Sequence, residues 1–107
     1  KDSIKEKSEY FNEEEFYIEM LKEYMKADKV SAMKQFFSSE DWDDYRTTVH
    51  ALKSTSLTIG AVHLSEGAKA LETAAKEGET DYIRSHHKDV LEEYTRLTNR
   101  IKEILLK

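Results

Sequence analysis

The residues around His50 could support nucleophilic chemistry at its imidazole ring. On a helix, with about 100° between successive residues, Arg46 and Lys53 lie on the same side as His50. A neutral imidazole is a good nucleophile, and positive charge nearby disfavours the imidazolium form. We therefore expect these two cations to keep the ring neutral and able to react.

The opposite side of the same helix is apolar. Its residues recur at i, i+4, i+7, i+11 and i+14, the spacing typical of a stripe that faces a core. The stripe consists of Tyr45, Val49, Leu52, Ser56 and Ile59, with Trp42 at its edge. His50 points roughly 140° away from the middle of this stripe. A surface histidine is usually only a solvated residue, but packing alone does not require a histidine held out between two cations.

The run His50-x-Leu52-Lys53-x-x-Ser56, closed by Gly60-Ala61, resembles the histidine-containing phosphotransfer (HPt) domain. Leu64 and the pair Leu71-Glu72 extend the resemblance, which covers roughly Asn12 to the C-terminus. The position after the lysine is usually glycine in that family, whereas this chain has Ser54. A serine is small enough for a partner to approach, with slightly less clearance, so Ser54 is a supporting position of the expected site.

The resemblance implies that His50 accepts a phosphoryl group from the aspartyl phosphate of a receiver domain and passes it to another receiver aspartate. The receiver would belong to a response regulator or a hybrid kinase. Lys53 is well placed to pair with the phosphate oxygens. We expect no cofactor in this chain, because the Mg²⁺ that the chemistry needs would be held by the receiver. The chain also lacks a glycine-rich nucleotide loop, which predicts a carrier and not an ATP-dependent kinase.

The resemblance also places residues of the fourth helix beside His50. Glu72 and Lys76 are therefore expected to join the hydrogen bonding around the ring, with Arg46 as a supporting cation. The alternative for each is an ordinary salt-bridged outer face. Leu57 is a candidate docking contact for the receiver, although a lone exposed apolar residue is common on protein surfaces.

The sequence is also compatible with a second function. The chain could be a non-catalytic helical interaction domain that binds receivers or dimerises without transferring phosphate. The sequence favours the carrier, because a pure docking bundle does not need His50 beside Lys53. The phosphotransfer segment of a chemotaxis-type kinase is a weaker match, since such segments have glycine-rich sequence after the histidine and this chain reads Ser54-Thr55-Ser56.

Composition predicts one helical domain. A chain of 107 residues suits a single domain with a modest core. Its 36% charged residues, 38% hydrophobic residues and lack of proline suit a helical bundle with a charged exterior. We expect residues 1–11 to form a linker or helical lead-in and residues 12–107 to form the domain.

Charge and hydropathy bear on partners and location. The formal net charge of −5 argues against nucleic acid or an anionic membrane as the main partner. No apolar run approaches the ~20 residues of a membrane span, and the absence of cysteine excludes disulfides and thiolate sites. We expect a monomeric domain without direct membrane contact, in the cytoplasm or in the cytoplasmic part of a membrane-bound sensor kinase.

The spacing of apolar residues predicts an all-α fold, an antiparallel four-helix bundle with an additional short helix near the N-terminus. Asn12 is predicted to cap the first helix, with Phe11 and Phe16 packed around its start. The residues of this helix expected to face the core are Phe16, Tyr17, Met20, Leu21, Tyr24 and Met25.

The next two helices have weaker start signals. Asp28 can cap the short second helix, and Ser38 or Ser39 is predicted to cap the third. The third helix carries His50 and should end near Ile59, because Gly60 tolerates the left-handed backbone that closes a helix.

The fourth helix is predicted from about Val62 to Glu77. Its inner row is expected to contain Leu64, Gly67, Ala68, Leu71, Ala74 and Ala75. Its polar row, which is expected to form the wall beside His50, contains Ser65, Lys69, Glu72 and Lys76. Gly78 should end it, and Thr80 should cap a long fifth helix that runs from Asp81 to about Leu106. The heptad seam of the fifth helix is Ile83, His87, Val90, Tyr94, Leu97, Ile101 and Ile104.

The other histidines are weaker candidates for chemistry. His87 lies in the heptad seam and is predicted to be a half-buried packing residue. His86 and His87 project about 100° apart on a helix, so they cannot chelate one ion as an i, i+4 pair would. His63 is expected to be solvated, and no metal site is predicted.

Overall fold

The computed structural model describes the backbone of residues 2–106 and the side chains of residues 14–106. Over this part of the chain there are five α-helices: α1 (Asp2–Lys26), α2 (Val30–Ser38), α3 (Trp42–Thr58), α4 (Val62–Glu77) and α5 (Thr80–Leu105). The four long helices form an antiparallel bundle, and the short α2 packs against α3 and α5. The predicted all-α bundle with one short additional helix is confirmed. None of the helices in residues 2–106 has the length and hydropathy needed to cross a bilayer.

The first helix begins earlier than predicted. It runs from Asp2 to Lys26 without a break, so Asn12 lies inside it and the prediction of a cap there is wrong. The segment before Asn12 contains no glycine or proline and is rich in lysine and glutamate, which propagate a helix well. The predicted contact between Phe11 and Phe16 lies outside the described side chains, since Phe11 is not among them.

Aspartate side chains accept backbone N–H groups at the start of the second and third helices. Asp28 accepts a hydrogen bond from the backbone N–H of Val30 at 2.8 Å, but the N-cap position of α2 is Lys29, so the predicted cap is wrong by one residue. The third helix is capped by Asp41, which accepts from the N–H of Asp44 at 3.2 Å. The prediction of Ser38 or Ser39 as this cap is wrong, because α2 continues through Ser38 and the backbone does not turn into α3 until Asp41.

The connection between α3 and α4 is short and closes with a glycine. Gly60 has a φ of +85°, a left-handed conformation that other residues adopt at a cost of about 1 kcal/mol. The N–H of Ala61 donates to the carbonyl of Ser56 at 2.8 Å, and the N–H of Gly60 donates to that of Leu57 at 3.0 Å. This pair of bonds is a Schellman motif. It satisfies the last carbonyls of α3 and turns the chain directly into α4, which spans the predicted range Val62–Glu77.

The fifth helix departs from the predicted heptad seam near its C-terminal end. Thr98 is buried, whereas Leu97 is only partly buried and Ile104 is 46% exposed. A straight α-helix drifts by about 20° per heptad against a strict seven-residue repeat. The buried stripe therefore moves on by four residues, from Tyr94 to Thr98, where the heptad predicted a step of three. Thr80 is the first residue of α5, and not its cap, because Glu79 occupies the N-cap position.

The core is formed where α3, α4 and α5 meet, and α1 covers it over part of its length. The buried hydrophobic residues are Leu21, Tyr24, Met33, Tyr45, Val49, Leu52, Leu64, Ala68, Leu71, Ala74, Ile83, Val90, Tyr94 and Ile101. Two predicted core residues of α1, Phe16 and Tyr17, are instead 67% and 49% exposed. They lie on the N-terminal side of Leu21 and Tyr24, the α1 residues that are buried among the side chains of residues 14–106. The predicted row therefore continues beyond the part of α1 that buries these two residues.

His87 is buried in a cluster of aromatic side chains. Its ring stacks on Phe37 with 3.8 Å between centroids, and its Nδ1 lies 2.8 Å from the Tyr45 hydroxyl. The side chain is only 6% exposed, which makes it more buried than the half-buried packing residue that the sequence predicted. This burial lowers the pKa of His87 to about 4, so the ring is neutral in the folded protein at neutral pH.

The stability of the fold should therefore decrease in mild acid. The unfolded chain binds a proton at His87 near pH 6.5, whereas the folded chain binds it only near pH 4. The contribution of the neutral His87 ring to the free energy of unfolding is complete above the pKa of the unfolded chain, near 6.5. It is lost as the pH falls from there toward the folded pKa of about 4. Between pH 7 and pH 5, we expect the free energy of unfolding from urea titrations to drop by about 2 kcal/mol.

Two variants test whether His87 causes this pH dependence. His87→Phe keeps an aromatic ring against Phe37 but cannot bind a proton, so its stability should change much less over the same pH range. His86→Gln alters the adjacent exposed histidine and should keep the wild-type dependence. An equally large loss in His87→Phe would assign the effect to other groups.

Candidate functional site

The third helix holds His50 out from the bundle, on the side opposite its buried residues. Tyr45, Val49 and Leu52 are each no more than 1% exposed, whereas the side chain of His50 is 58% exposed. The apolar stripe read from the sequence therefore turns α3 so that the imidazole faces solvent. The ring is accessible to a second protein.

Glu72 of α4 joins the two α3 residues that the sequence singled out. One carboxylate oxygen, Oε2, lies 2.5 Å from His50 Nδ1, and the other, Oε1, lies 2.7 Å from Lys53 Nζ. The side chain of Glu72 is 19% exposed and that of Lys53 is 27% exposed. The hydrogen bond to His50 is the contact expected of Glu72, and the ion pair with Lys53 is an addition that the sequence did not predict.

The Glu72 carboxylate is ionised at neutral pH. Partial burial raises its pKa, but the hydrogen bonds from Lys53 and His50 outweigh that effect and hold the pKa below its ordinary value. An ionised carboxylate can only accept hydrogen bonds. The hydrogen in the contact with His50 is therefore on Nδ1, and in a neutral ring the lone pair is on Nε2. The carboxylate thus selects which nitrogen is free to react.

The other predicted site residues on α3 are also exposed. Arg46, Thr47, His50 and Glu72 line a shallow depression of about 240 Å³. Ser54 is exposed on the next turn of α3, and Leu57 is 59% exposed. Thr47 is an addition to the predicted set, and its position one turn before His50 was the only sequence signal for it.

Lys76 lies one turn beyond Glu72 on α4 and is exposed. Among the side chains of residues 14–106 it forms no ion pair and no hydrogen bond with His50 or Glu72. Its expected part in the hydrogen bonding around the ring therefore stays a prediction.

Ser65 lies in a different environment from the one predicted. The sequence placed it on the polar row of α4 beside His50, but the residue is 5% exposed, and its Oγ donates to the main-chain carbonyl of Lys53 at 2.8 Å. The prediction failed because serine is small enough to fit between two closely packed helices when its hydroxyl finds an acceptor there. Lys69, from the same predicted row, lines a separate groove beside Tyr82.

The other described histidines are engaged elsewhere. His63 is 90% exposed at its side chain, and its Nδ1 lies 2.9 Å from Glu93. This hydrogen bond, together with the charge of Glu93, raises the pKa of His63. His86 stacks on Tyr82 with 3.9 Å between ring centroids. Within residues 14–106, no group of three or more histidine, aspartate or glutamate side chains is arranged to hold a metal ion.

The tautomer of His50 should depend on Glu72. In Glu72→Ala the Nδ1–H loses its acceptor, so the neutral ring should shift toward the Nε2–H form. Imidazole ¹⁵N chemical shifts of His50 measure the two populations, and we expect the Nε2–H population to rise by at least about fivefold, as for the loss of one charged hydrogen bond. Glu77→Ala removes an exposed carboxylate from the same helix and should leave the shifts unchanged. Unaltered His50 shifts in Glu72→Ala would contradict the assignment of the tautomer.

Comparison with known protein families matches residues 17–104 to the Hpt domain. Comparison with curated proteins and with solved structures gives no match. The matched range takes in the last ten residues of α1 and the whole of α2, α3 and α4, and it ends within the last turn of α5. It thus contains the exposed histidine, its lysine neighbour and the glutamate that joins them. The chain belongs to the family of Hpt domains, the histidine-containing phosphotransfer domains of phosphorelays.

Proposed function

We propose that this domain is a phosphorelay intermediate. His50 Nε2 accepts a phosphoryl group from a receiver-domain aspartyl phosphate, and the domain then passes this group to another receiver aspartate. The observation that carries the proposal is the contact between His50 Nδ1 and the ionised carboxylate of Glu72. When the solvent-facing ring is neutral, this contact leaves its Nε2 lone pair available for attack.

The transfer balances without a proton leaving the ring. The Nε2 lone pair forms the N–P bond while the acyl phosphate P–O bond breaks, and the receiver aspartate departs as a carboxylate. Because Nδ1 keeps its hydrogen, the phosphorylated ring carries a positive charge. The Glu72 carboxylate against Nδ1–H stabilises that charge as it develops. The same groups serve the reverse reaction, which a carrier needs in order to pass the phosphate on.

Lys53 and Arg46 supply positive charge for the phosphate itself. Lys53 lies one helical turn after His50, and Arg46 lies one turn before it, beside the same depression. In the unphosphorylated domain Lys53 pairs with Glu72 at 2.7 Å. A dianionic phosphoryl group on Nε2 offers Lys53 a more highly charged partner, so its ammonium would contact the phosphate in the phosphorylated domain.

The receiver would dock over the exposed face of α3. Leu57 provides an apolar contact that remains exposed without a partner, and the small side chain of Ser54 leaves room for the partner's backbone. Lys76 is exposed on α4, one turn beyond Glu72. The Mg²⁺ ion that an aspartyl phosphate requires would belong to the receiver, and this chain would supply no cofactor of its own.

The proposal is tested by incubating the domain with phosphorylated receiver domains. We expect a phosphate on the protein that is labile in acid and stable in base, as for a phosphoramidate, and it should be absent in His50→Gln. His86→Gln, which alters another exposed histidine, should accept phosphate as the wild type does. A domain that binds receivers but accepts nothing from any of them would favour the alternative, a non-catalytic docking module.

Replacement of Lys53 should slow the transfer much more than it destabilises the fold. In Lys53→Ala we expect the rate of phosphotransfer to fall by about 10²-fold, because a charge-assisted contact to the transferring group is lost. The free energy of unfolding should fall by no more than about 1 kcal/mol, since the ion pair is partly exposed. Lys88→Ala, an exposed lysine on α5, is the matched control and should transfer normally. A normal rate in Lys53→Ala would contradict the role of Lys53.

A further inference from the structure

Ser65 forms a polar link between α3 and α4 that the proposed chemistry does not use directly. Its residue is 5% exposed, and its Oγ donates to the main-chain carbonyl of Lys53 at 2.8 Å. Lys53 lies in the middle of α3, where its carbonyl also accepts the ordinary helical hydrogen bond. The serine hydroxyl therefore adds a second donor to a carbonyl that is already satisfied, which is more than helix formation requires.

Ser65 and Glu72 lie on the same side of α4. Seven residues correspond to about 700°, which is within about 20° of two complete turns and spans about 10 Å along the axis. Both contact Lys53: Ser65 binds its backbone, and Glu72 binds its side chain and the ring of His50. Ser65 and Glu72 therefore hydrogen-bond α4 to the same segment of α3 at two points, two helical turns apart on α4.

The apolar side chains of this interface fix the axial position of the two helices less sharply than its hydrogen bonds do. The buried side chains between α3 and α4 include Leu52, Leu64, Ala68 and Leu71. Apolar contacts of this kind are not directional and tolerate small displacements, whereas a hydrogen bond weakens steeply with distance and angle. Among the described side chains, residues 14–106, the Ser65 bond is the one hydrogen bond between α3 and α4 that does not involve Glu72.

We propose that Ser65 is a positioning residue for phosphotransfer: its hydrogen bond to the Lys53 backbone holds α4 at the axial position where the two oxygens of Glu72 reach His50 Nδ1 and Lys53 Nζ. A displacement of about 1 Å would take both contacts, now at 2.5 and 2.7 Å, out of good hydrogen-bond geometry. The consequence for transfer rests on the proposed function, but the effect on His50 does not.

The test compares two buried serines. Ser65→Ala removes the link between α3 and α4. Ser56→Ala removes a hydroxyl from a residue that is fully buried and bonds Tyr24 of α1 at 2.9 Å. Both variants lose one buried hydrogen bond, so both should be less stable in urea. Only Ser65→Ala should raise the Nε2–H population of His50, by about threefold to fivefold in the ¹⁵N shifts.

Transfer provides the second measurement. In Ser65→Ala we expect the rate from a phosphorylated receiver to fall by about three- to tenfold, because the imidazole is no longer held in its reactive tautomer. Ser56→Ala should stay within about twofold of the wild type. In a Glu72→Ala background, Ser65→Ala should change neither the tautomer nor the rate further, since Ser65 acts through Glu72.

The outcomes separate the two proposals. Tautomer populations in Ser65→Ala equal to those in Ser56→Ala would make Ser65 merely structural and would overturn this inference. An additional effect of Ser65→Ala in the Glu72→Ala background would overturn it as well, because the action would not pass through Glu72. If the wild-type domain accepts no phosphate, the proposed function fails while the ¹⁵N measurement still decides the role of Ser65.

Discussion

The carboxylate of Glu72 is shared between a ring nitrogen of His50 and the ammonium of Lys53, and the rest of the site depends on this interaction. It fixes the ring orientation and the tautomer at the same time, because an ionised carboxylate can only accept. It also holds the Lys53 ammonium close to His50, the phospho-acceptor that we propose. One carboxylate on α4 thus positions two side chains on α3. The geometry of the site therefore depends on how these two helices pack against each other.

This contact requires α4 to pack closely, and in one fixed position, against its neighbouring helices. The interior face of α4 carries small residues, and at Gly67 even a Cβ atom would lie 3.1 Å from Val90 of α5. The short Schellman closure at Gly60 ties the end of α3 to the start of α4. A long or mobile connection would allow the two helices to slide, and the hydrogen bonds of Glu72 would not survive such movement.

The sequence by itself determined the helical class, the orientation of α3 and the identity of the exposed histidine. These follow from local rules: apolar residues at helical spacing define the buried side, and His50 lies roughly opposite that side. The bounds of α4 were equally local, since glycines at both of its ends mark where helices stop. The cap of α3 was missed because several polar residues in a row, Ser38 to Asp41, offer comparable capping groups, and sequence does not rank them.

Only the tertiary structure decided which atoms of α3 the polar residues of α4 contact. The sequence placed Ser65 and Glu72 on one polar row beside His50, yet the structure buries Ser65 against a backbone carbonyl and gives Glu72 a second partner, Lys53, besides the expected His50. The exposed Phe16 was misjudged for the related reason that a periodic pattern does not tell how far the neighbouring helices extend. Periodicity reports the side of a helix that prefers to be buried, whereas the partner atoms of each polar group are set by the packing of separate helices.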